Sequence, residues 1–299
     1  LDSVLDTVIE GDFLTESARL PDAMLDLIVT SPPYYNVREE YASWTSYASY
    51  LESMEAWLAA CFRLLKPGRR LVWNVDDLLK SKEFRNCTVS ADSCILAKKV
   101  GFTVKTKVVW RDTMNAEGWL PGTYPHGPSV VINWCLEDVW VFQKPNPDPK
   151  PHLNHSRYPK LPPELAKYDV MDKEFLIKYA RNPVWDIRSE SALRVGHPAP
   201  FPEELTIPPI RMWSRPGEVV GDPFMGSGTT ARAALKWRRH FLGFERKREY
   251  IQLARRRIER RRIELLMDQL YLPNFAPQVE AESSVVYNQE QIQLDLMAA

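Results

Sequence analysis

Short apolar runs alternate with helical stretches over the first half of the chain, the pattern of an α/β protein with buried parallel strands. Thr7 to Ile9, Leu25 to Thr30, Leu71 to Val75, Thr103 to Trp110 and Val139 to Phe142 read as strands. Leu51, Met54, Leu58, Cys61 and Leu65 fall at helical spacing, which predicts a helix over Tyr50 to Leu65 that Pro67-Gly68 stops. Ser90 to Lys99 reads as another helix. From Lys144 to Pro163 the chain is proline-dense and polar, and prolines there prevent regular structure. A second proline cluster, Pro198 to Pro209, precedes a strand at Glu218 to Val220. A turn, a helix through Leu235, a strand at Phe241 to Phe244 and a long helix from Arg248 to Leu270 complete the pattern, and the stretch after Pro273 reads as weakly ordered.

Composition narrows the classes. At 299 residues, with 44% hydrophobic and 26% charged, the chain can bury a substantial core. No apolar run approaches the roughly 20 residues of a membrane helix, and no leader-like segment opens the sequence, so a cytoplasmic protein is expected. Cys61, Cys87, Cys94 and Cys135 show neither CxxC nor zinc-site spacing, which predicts reduced thiols and no metal site. The formal net charge of zero weighs against a nucleic-acid binder, but charge is uneven: Arg255 to Arg262 is strongly basic and Asp2 to Asp26 is acid-rich. That basic run reads more readily as a solvated helix face than as a set of phosphate contacts.

Two segments carry candidate chemistry. Asp222-Pro223-Phe224-Met225-Gly226-Ser227-Gly228-Thr229 sits where a strand hands over to a helix, and glycines there let backbone approach a nucleotide-like ligand. With Ala231 it fits the loose GxGxxA pattern, and Glu245 ends the next strand, placed to accept from ribose hydroxyls. A tight turn in any α/β protein would look the same. Ser31-Pro32-Pro33-Tyr34 is more specific. Two consecutive prolines at the end of a buried strand hold the carbonyls of Ser31 and Pro32 as rigid acceptors, beside an aromatic face, an arrangement suited to a planar group bearing an NH2. The bland reading is a strand-ending turn with Tyr34 in the core.

Together these segments resemble the amino-directed (cytosine-N4 or adenine-N6) DNA methyltransferases, in the group whose catalytic motif precedes the cofactor motif. Gly11-Asp12, Leu65-Lys66-Pro67-Gly68, Val139 to Lys144 and Gly196-His197-Pro198-Ala199-Pro200-Phe201 extend the likeness. Two departures stand out: Leu136-Glu137 where the family often has His-Glu, and Gly221 where it usually has an aliphatic residue. The resemblance implies a Rossmann-like, mostly parallel sheet with one antiparallel strand and circularly permuted motif order. It divides the chain into a catalytic half (1–110), a target-recognition insertion (111–194) that includes the strand near 139–143, a cofactor-binding half (195–272) and a tail (273–299). S-adenosylmethionine is the implied cofactor and DNA the implied partner, with a cognate restriction endonuclease and a homodimer as further expectations. Ser31 and the Pro32 carbonyl would accept from the target amino group, and Tyr34 would stack on a flipped-out base. Gly226, Gly228, Glu245 and Asp12 would hold the cofactor's nucleoside. Phe201 and the His197-Pro198 segment would line its methionine end, with Phe224 nearby and His197 mainly structural. Ser31 in the first catalytic position favours cytosine N4 over adenine N6. A nicotinamide oxidoreductase, a methyltransferase acting on RNA or protein, and a non-catalytic DNA-binding protein on the same scaffold are the competing classes; the first leaves Ser31 to Tyr34 unexplained, and motif order argues against the second.

Overall fold

The computed structural model describes residues 4–36, 44–77, 87–113, 135–147, 160–197 and 200–270. The first of its two compact units, Leu1–Arg262, contains an eight-stranded sheet. In chain order its strands are β1 (Thr7–Glu10), β2 (Leu25–Thr30), β3 (Leu65–Val75), β4 (Thr103–Asp112), β5 (Leu136–Gln143), β6 (Val184–Ile187), β7 (Val219–Asp222) and β8 (His240–Glu245). They lie side by side as β1-β8-β7-β2-β3-β5-β4-β6. Every neighbouring pair is parallel except the two that β5 makes, with β3 and with β4. The expected α/β sheet with one antiparallel strand is present.

Helices cover both faces, as a largely parallel sheet requires. On one side lie α1 (Phe13–Ser17), α2 (Tyr47–Leu64) and α3 (Val89–Val100), whose apolar residues pack with Leu25, Ile28, Leu71, Trp73 and Phe244. Helix α2 starts at a capping box of Ser46 and Ser49 and buries Tyr50, Met54, Trp57, Leu58, Cys61 and Leu64 along one stripe. Strand β3 follows it directly: Leu65 already pairs with Leu25, and the extra residues of the turn at Pro67-Gly68 are accommodated as an irregularity, with Gly68 at φ 79°. After α4 (Pro163–Ala166), α5 (Lys173–Phe175), a π-helical turn at Leu176–Ala180 and α6 (Ala192–Val195), the other face is covered by α7 (Glu203–Trp213), α8 (Thr229–Lys236) and the part of α9 (Arg248–Leu270) that lies within this unit. Leu205, Ile210, Ala231, Ala234, Ile251 and Ala254 pack there against Leu27, Val29, Val72 and Val220. Among the described residues no helix is long and apolar enough to cross a membrane.

Helix α7 and strand β6 are among the elements that depart from the sequence reading. The proline cluster before β7 holds helix α7, with Pro208 and Pro209 inside it and buried. Each proline removes an intrahelical hydrogen bond, but the apolar stripe they share with Leu205 and Ile210 is covered by α8 and β2. Burial outweighs local propensity there. Strand β6, pairing with β4 at Val109–Asp112, lies in the stretch 111–194 expected to recognise the target, where no strand was read after Phe142; its four residues carry too short an alternation to register as a strand.

Gly221 explains one family departure. A Cβ there would lie 2.5 Å from Leu25 Cδ1 and 3.3 Å from Ile28 Cγ1, so a larger side chain on the neighbouring strand already fills the space. Gly221→Ala is therefore expected to lower stability by about 1–3 kcal/mol in urea unfolding through overpacking. Truncating Leu25 to Ala in that background should cost less than in the parent, because the two sites compete for one volume.

Candidate active site

The sheet reverses direction of winding between β2 and β7. From β2 the chain crosses one face through α2 to reach β3; from β7 it crosses the other face through α8 to reach β8 on the opposite side. Such a switch point opens a crevice at the carboxyl ends of the strands. A cavity of about 560 Å³ lies there, a size usual for small-molecule sites. It brings together Asp12, Ser31, Pro32, Pro33, Tyr34, His197, Phe201, Asp222, Pro223, Phe224, Gly226, Ser227, Thr229 and Glu245. Gly228 is not among the lining residues, and Pro198 lies outside the described residues. Ser189, Glu190 and Ala192, from the stretch expected to read the target, also line the wall.

The two motif segments are tied to each other. Asp222 is buried at the end of β7, and its Oδ1 accepts from Thr30 Oγ1 at 2.7 Å and from Phe224 N at 3.0 Å. Burial raises its pKa to about 6, opposed by those hydrogen bonds. The Glu245 carboxylate accepts from Gly226 N at 2.9 Å, Arg246 N at 2.9 Å and Lys247 N at 2.8 Å, so it shapes the glycine turn as well as facing the cavity. Asp12 caps α1, its Oδ1 accepting from Leu14 N at 3.0 Å and Thr15 N at 3.4 Å. Phe224 meets Phe13 and Trp57 edge-on at 6.0 and 5.0 Å, forming an aromatic wall.

The glycines have different causes. Gly226 (φ 50°) lies under His197, whose Nε2 would be 3.1 Å from an added Cβ, while His197 in turn packs against Tyr250 at 4.5 Å. His197 thus packs between the glycine turn and Tyr250. Gly228 (φ 82°) precedes α8 in the left-handed region, and an added Cβ would lie 3.1 Å from Ala254 Cβ and 3.2 Å from its Cα, so the backbone conformation and the approach of α9 both favour glycine there. The basic run on α9 is only partly a solvated face. Arg257 reaches over to donate to the carbonyl of Ser227 at 2.9 Å and to its hydroxyl, and burial together with nearby Arg232 lowers its pKa to about 10. Arg261 pairs with Glu203 at 2.8 Å, and Arg262 donates to Asp6 O at 3.0 Å. Arg255, Arg256 and Arg260 are exposed.

At the other end of the cavity stand two residues that the sequence reading did not single out for chemistry. Ser31 Oγ donates to Tyr34 Oη at 3.2 Å, Tyr34 Oη donates to Glu137 Oε2 at 2.8 Å, and Asn74 Nδ2 donates to Glu137 Oε2 at 2.7 Å and to Tyr34 Oη at 3.3 Å. Tyr34 is half-buried, and burial together with the Glu137 charge pushes its phenol pKa well up, keeping it a proton donor. Its hydroxyl is thus committed to this network. The sequence signals were a polar Asn74 near the end of an apolar strand and the acidic Glu137 of the Leu136-Glu137 departure, near the start of β5.

The sequence pattern of the N6/N4 DNA methylases matches residues 25–256. The chain belongs to this DNA methylase family. The orphan methyltransferase M.BamHII of Bacillus amyloliquefaciens is 28% identical over 261 residues, 80% of this chain and 90% of that protein. The Type II beta methyltransferase M.BslI of Bacillus sp. (strain NEB-606) is 26% identical over 84% of this methylase, which spans 27% of that protein's length. Among solved structures, TTHA0409 of Thermus thermophilus in complex with S-adenosyl-L-methionine superposes with a TM-score of 0.65 at 29% identity, covering 85% of this chain and 93% of that one. The sheet described above is the fold this likeness shares.

The raised pKa of Asp222 has a measurable consequence. Near pH 4 the folded methylase holds this carboxyl protonated; as pH rises the unfolded chain ionises first, so folding loses stability until the folded group also ionises near pH 6. Asp222→Asn, which cannot ionise, should therefore gain on the order of 2–3 kcal/mol relative to the parent between about pH 4 and 7 in urea unfolding. A gap independent of pH would mean that Asp222 is ionised throughout.

Proposed function

We propose that this methylase transfers a methyl group from S-adenosylmethionine to the exocyclic amino nitrogen of a flipped-out DNA base, with cytosine N4 the target. The observation that carries the reading is the meeting of the Ser31–Tyr34 segment and the Asp222–Thr229 turn in one cavity, joined by the Thr30–Asp222 bond.

The cavity's donor set fits such a cofactor. Carboxylates at Asp12 and Glu245 suit the hydroxyls and amino group of a nucleoside, and the Phe224 wall suits a purine face. Phe201 and His197 then lie toward the amino-acid end. Bound S-adenosylmethionine supplies an electrophilic sulfonium methyl. An exocyclic amino group is a poor nucleophile because its lone pair is delocalised into the ring. Ser31 Oγ, whose own proton is directed to Tyr34, is left with lone pairs to accept from that NH2, and Pro32, with no backbone N–H, presents a rigid carbonyl beside it. Both acceptors draw the amino hydrogens to one side and turn the lone pair toward the methyl. Positioning and preorganised dipoles are the sources of rate. Tyr34, anchored by its hydroxyl, offers its ring to the base, for which extrusion from the duplex costs a few kcal/mol.

Cytosine N4 rests on Ser31 in the first catalytic position; adenine N6 is the second reading within the same chemistry. Nucleoside mass spectrometry of plasmid DNA incubated with the protein and methyl-labelled S-adenosylmethionine separates them. Label is expected in N4-methylcytosine, and Ser31→Ala should lower its rate of formation by about 10²–10³-fold, the usual effect of losing one preorganised polar contact. Label in N6-methyladenine would reassign the base and keep the mechanism, whereas no labelled base would remove DNA as substrate.

A further inference from the structure

We propose that Glu137 is the terminal proton acceptor of a relay that begins at Ser31, a role that rests on the amino-methylation reading above. When an amino nitrogen gains a methyl group from a sulfonium donor, which departs as the neutral thioether, the nitrogen becomes positively charged and must shed one of its two protons. The cavity wall holds a directed chain for that proton. Ser31 Oγ points its hydrogen at Tyr34 Oη, and Tyr34 Oη points its own at Glu137 Oε2, over 3.2 and 2.8 Å. Transfer of the amino proton to Ser31 Oγ, of the Ser31 proton to Tyr34 Oη and of the Tyr34 proton to Glu137 restores both hydroxyls. It leaves a neutral methylamino base and a neutral carboxylic acid. No co-reactant is needed.

Three features of the surroundings favour this direction. Glu137 is the second residue of β5, the one antiparallel strand, so its carboxylate arrives at the same sheet edge as the ends of β2 and β3 and lines the cavity. Asn74 donates to both Tyr34 and Glu137, which fixes the phenol's hydrogen on the carboxylate side. Asn74 itself is buried, and among the described residues nothing donates to its Oδ1. Relay through Tyr34 also explains why a phenol with so high a pKa serves here, since it passes a proton on without ever becoming a phenolate.

Glu137→Gln separates basicity from structure, because its amide oxygen can still accept from Tyr34 and Asn74. The measurement is the single-turnover rate of labelled methyl transfer to unmethylated genomic DNA with enzyme in excess, alongside S-adenosylmethionine affinity by calorimetry and the thermal unfolding midpoint. The Gln variant is expected to lose about 10²-fold in rate, within the range of general acid–base catalysis, at unchanged cofactor affinity and midpoint. Tyr34→Phe should lose a similar factor, and the double variant little more, because both break one chain. A Gln variant within about threefold of the parent, or losses that multiply in the double variant, would overturn the relay while leaving the methylase reading intact. If Gln disturbs folding, Tyr34→Phe alone decides: full rate without the phenol hydroxyl excludes the relay. A parent protein that methylates no base removes both proposals.

Discussion

The buried carboxylate of Asp222, accepting from Thr30 Oγ1 and from Phe224 N, lies where two parallel strands end side by side on either side of the winding reversal. Everything at the cavity is placed relative to that point. Thr30 immediately precedes the Ser31–Tyr34 segment, and Asp222 opens the glycine turn, so one hydrogen bond fixes the distance between segments 192 residues apart. The position is unfavourable for a charge, which is why the pKa of Asp222 rises, and the surrounding donors keep that penalty moderate. A second buried carboxylate, Asp26, secures the other end of the same strand pair: it binds Lys66 at 2.8 Å, Arg69 at 3.1 Å and the backbone of Val219 at 3.0 Å. β2 and β7 are thus pinned by a carboxylate at each end.

Around this frame the helices act as backing. Arg257 from α9 holds the Ser227 carbonyl and hydroxyl, Ala254 from the same helix presses on Gly228, and Glu245 gathers three backbone N–H groups. The glycine turn is therefore over-determined by contacts from α9, β8 and the segment carrying His197. A turn held this firmly can present its backbone to a ligand without a further ordering cost. The aromatic wall of Phe13, Trp57 and Phe224 joins α1, α2 and the turn after β7, linking the core on one face of the sheet to the cavity.

The antiparallel strand has a function that a wholly parallel sheet could not supply. Parallel strands bring only their carboxyl ends to the cavity; β5 brings its beginning. Glu137 can therefore face Tyr34 and Asn74, which come from strand ends, and complete a network that spans three neighbouring strands.

Hydrophobic periodicity and two short motifs were enough to read the α/β class, most strands, α2, α3, α8 and α9, and the Ser31–Tyr34 and Asp222–Thr229 segments that meet at the cavity, because strand burial and backbone constraints from proline and glycine are local properties written in adjacent residues; Asp12, His197 and Phe201 were reached only through the family resemblance. Helix α7 and β6 were not legible, since the first runs against proline's local preference and the second is too short to show a period; both exist because neighbouring elements bury them. The press of α9 on Gly228, the inward use of Arg257 and Arg261, and the partnership of Glu137 with Tyr34 across 103 residues likewise belong to tertiary structure. Sequence spacing fixes which side chains share a face within one element. Which atoms meet across elements depends on strand order and register, and those were set only when the whole sheet closed around its core.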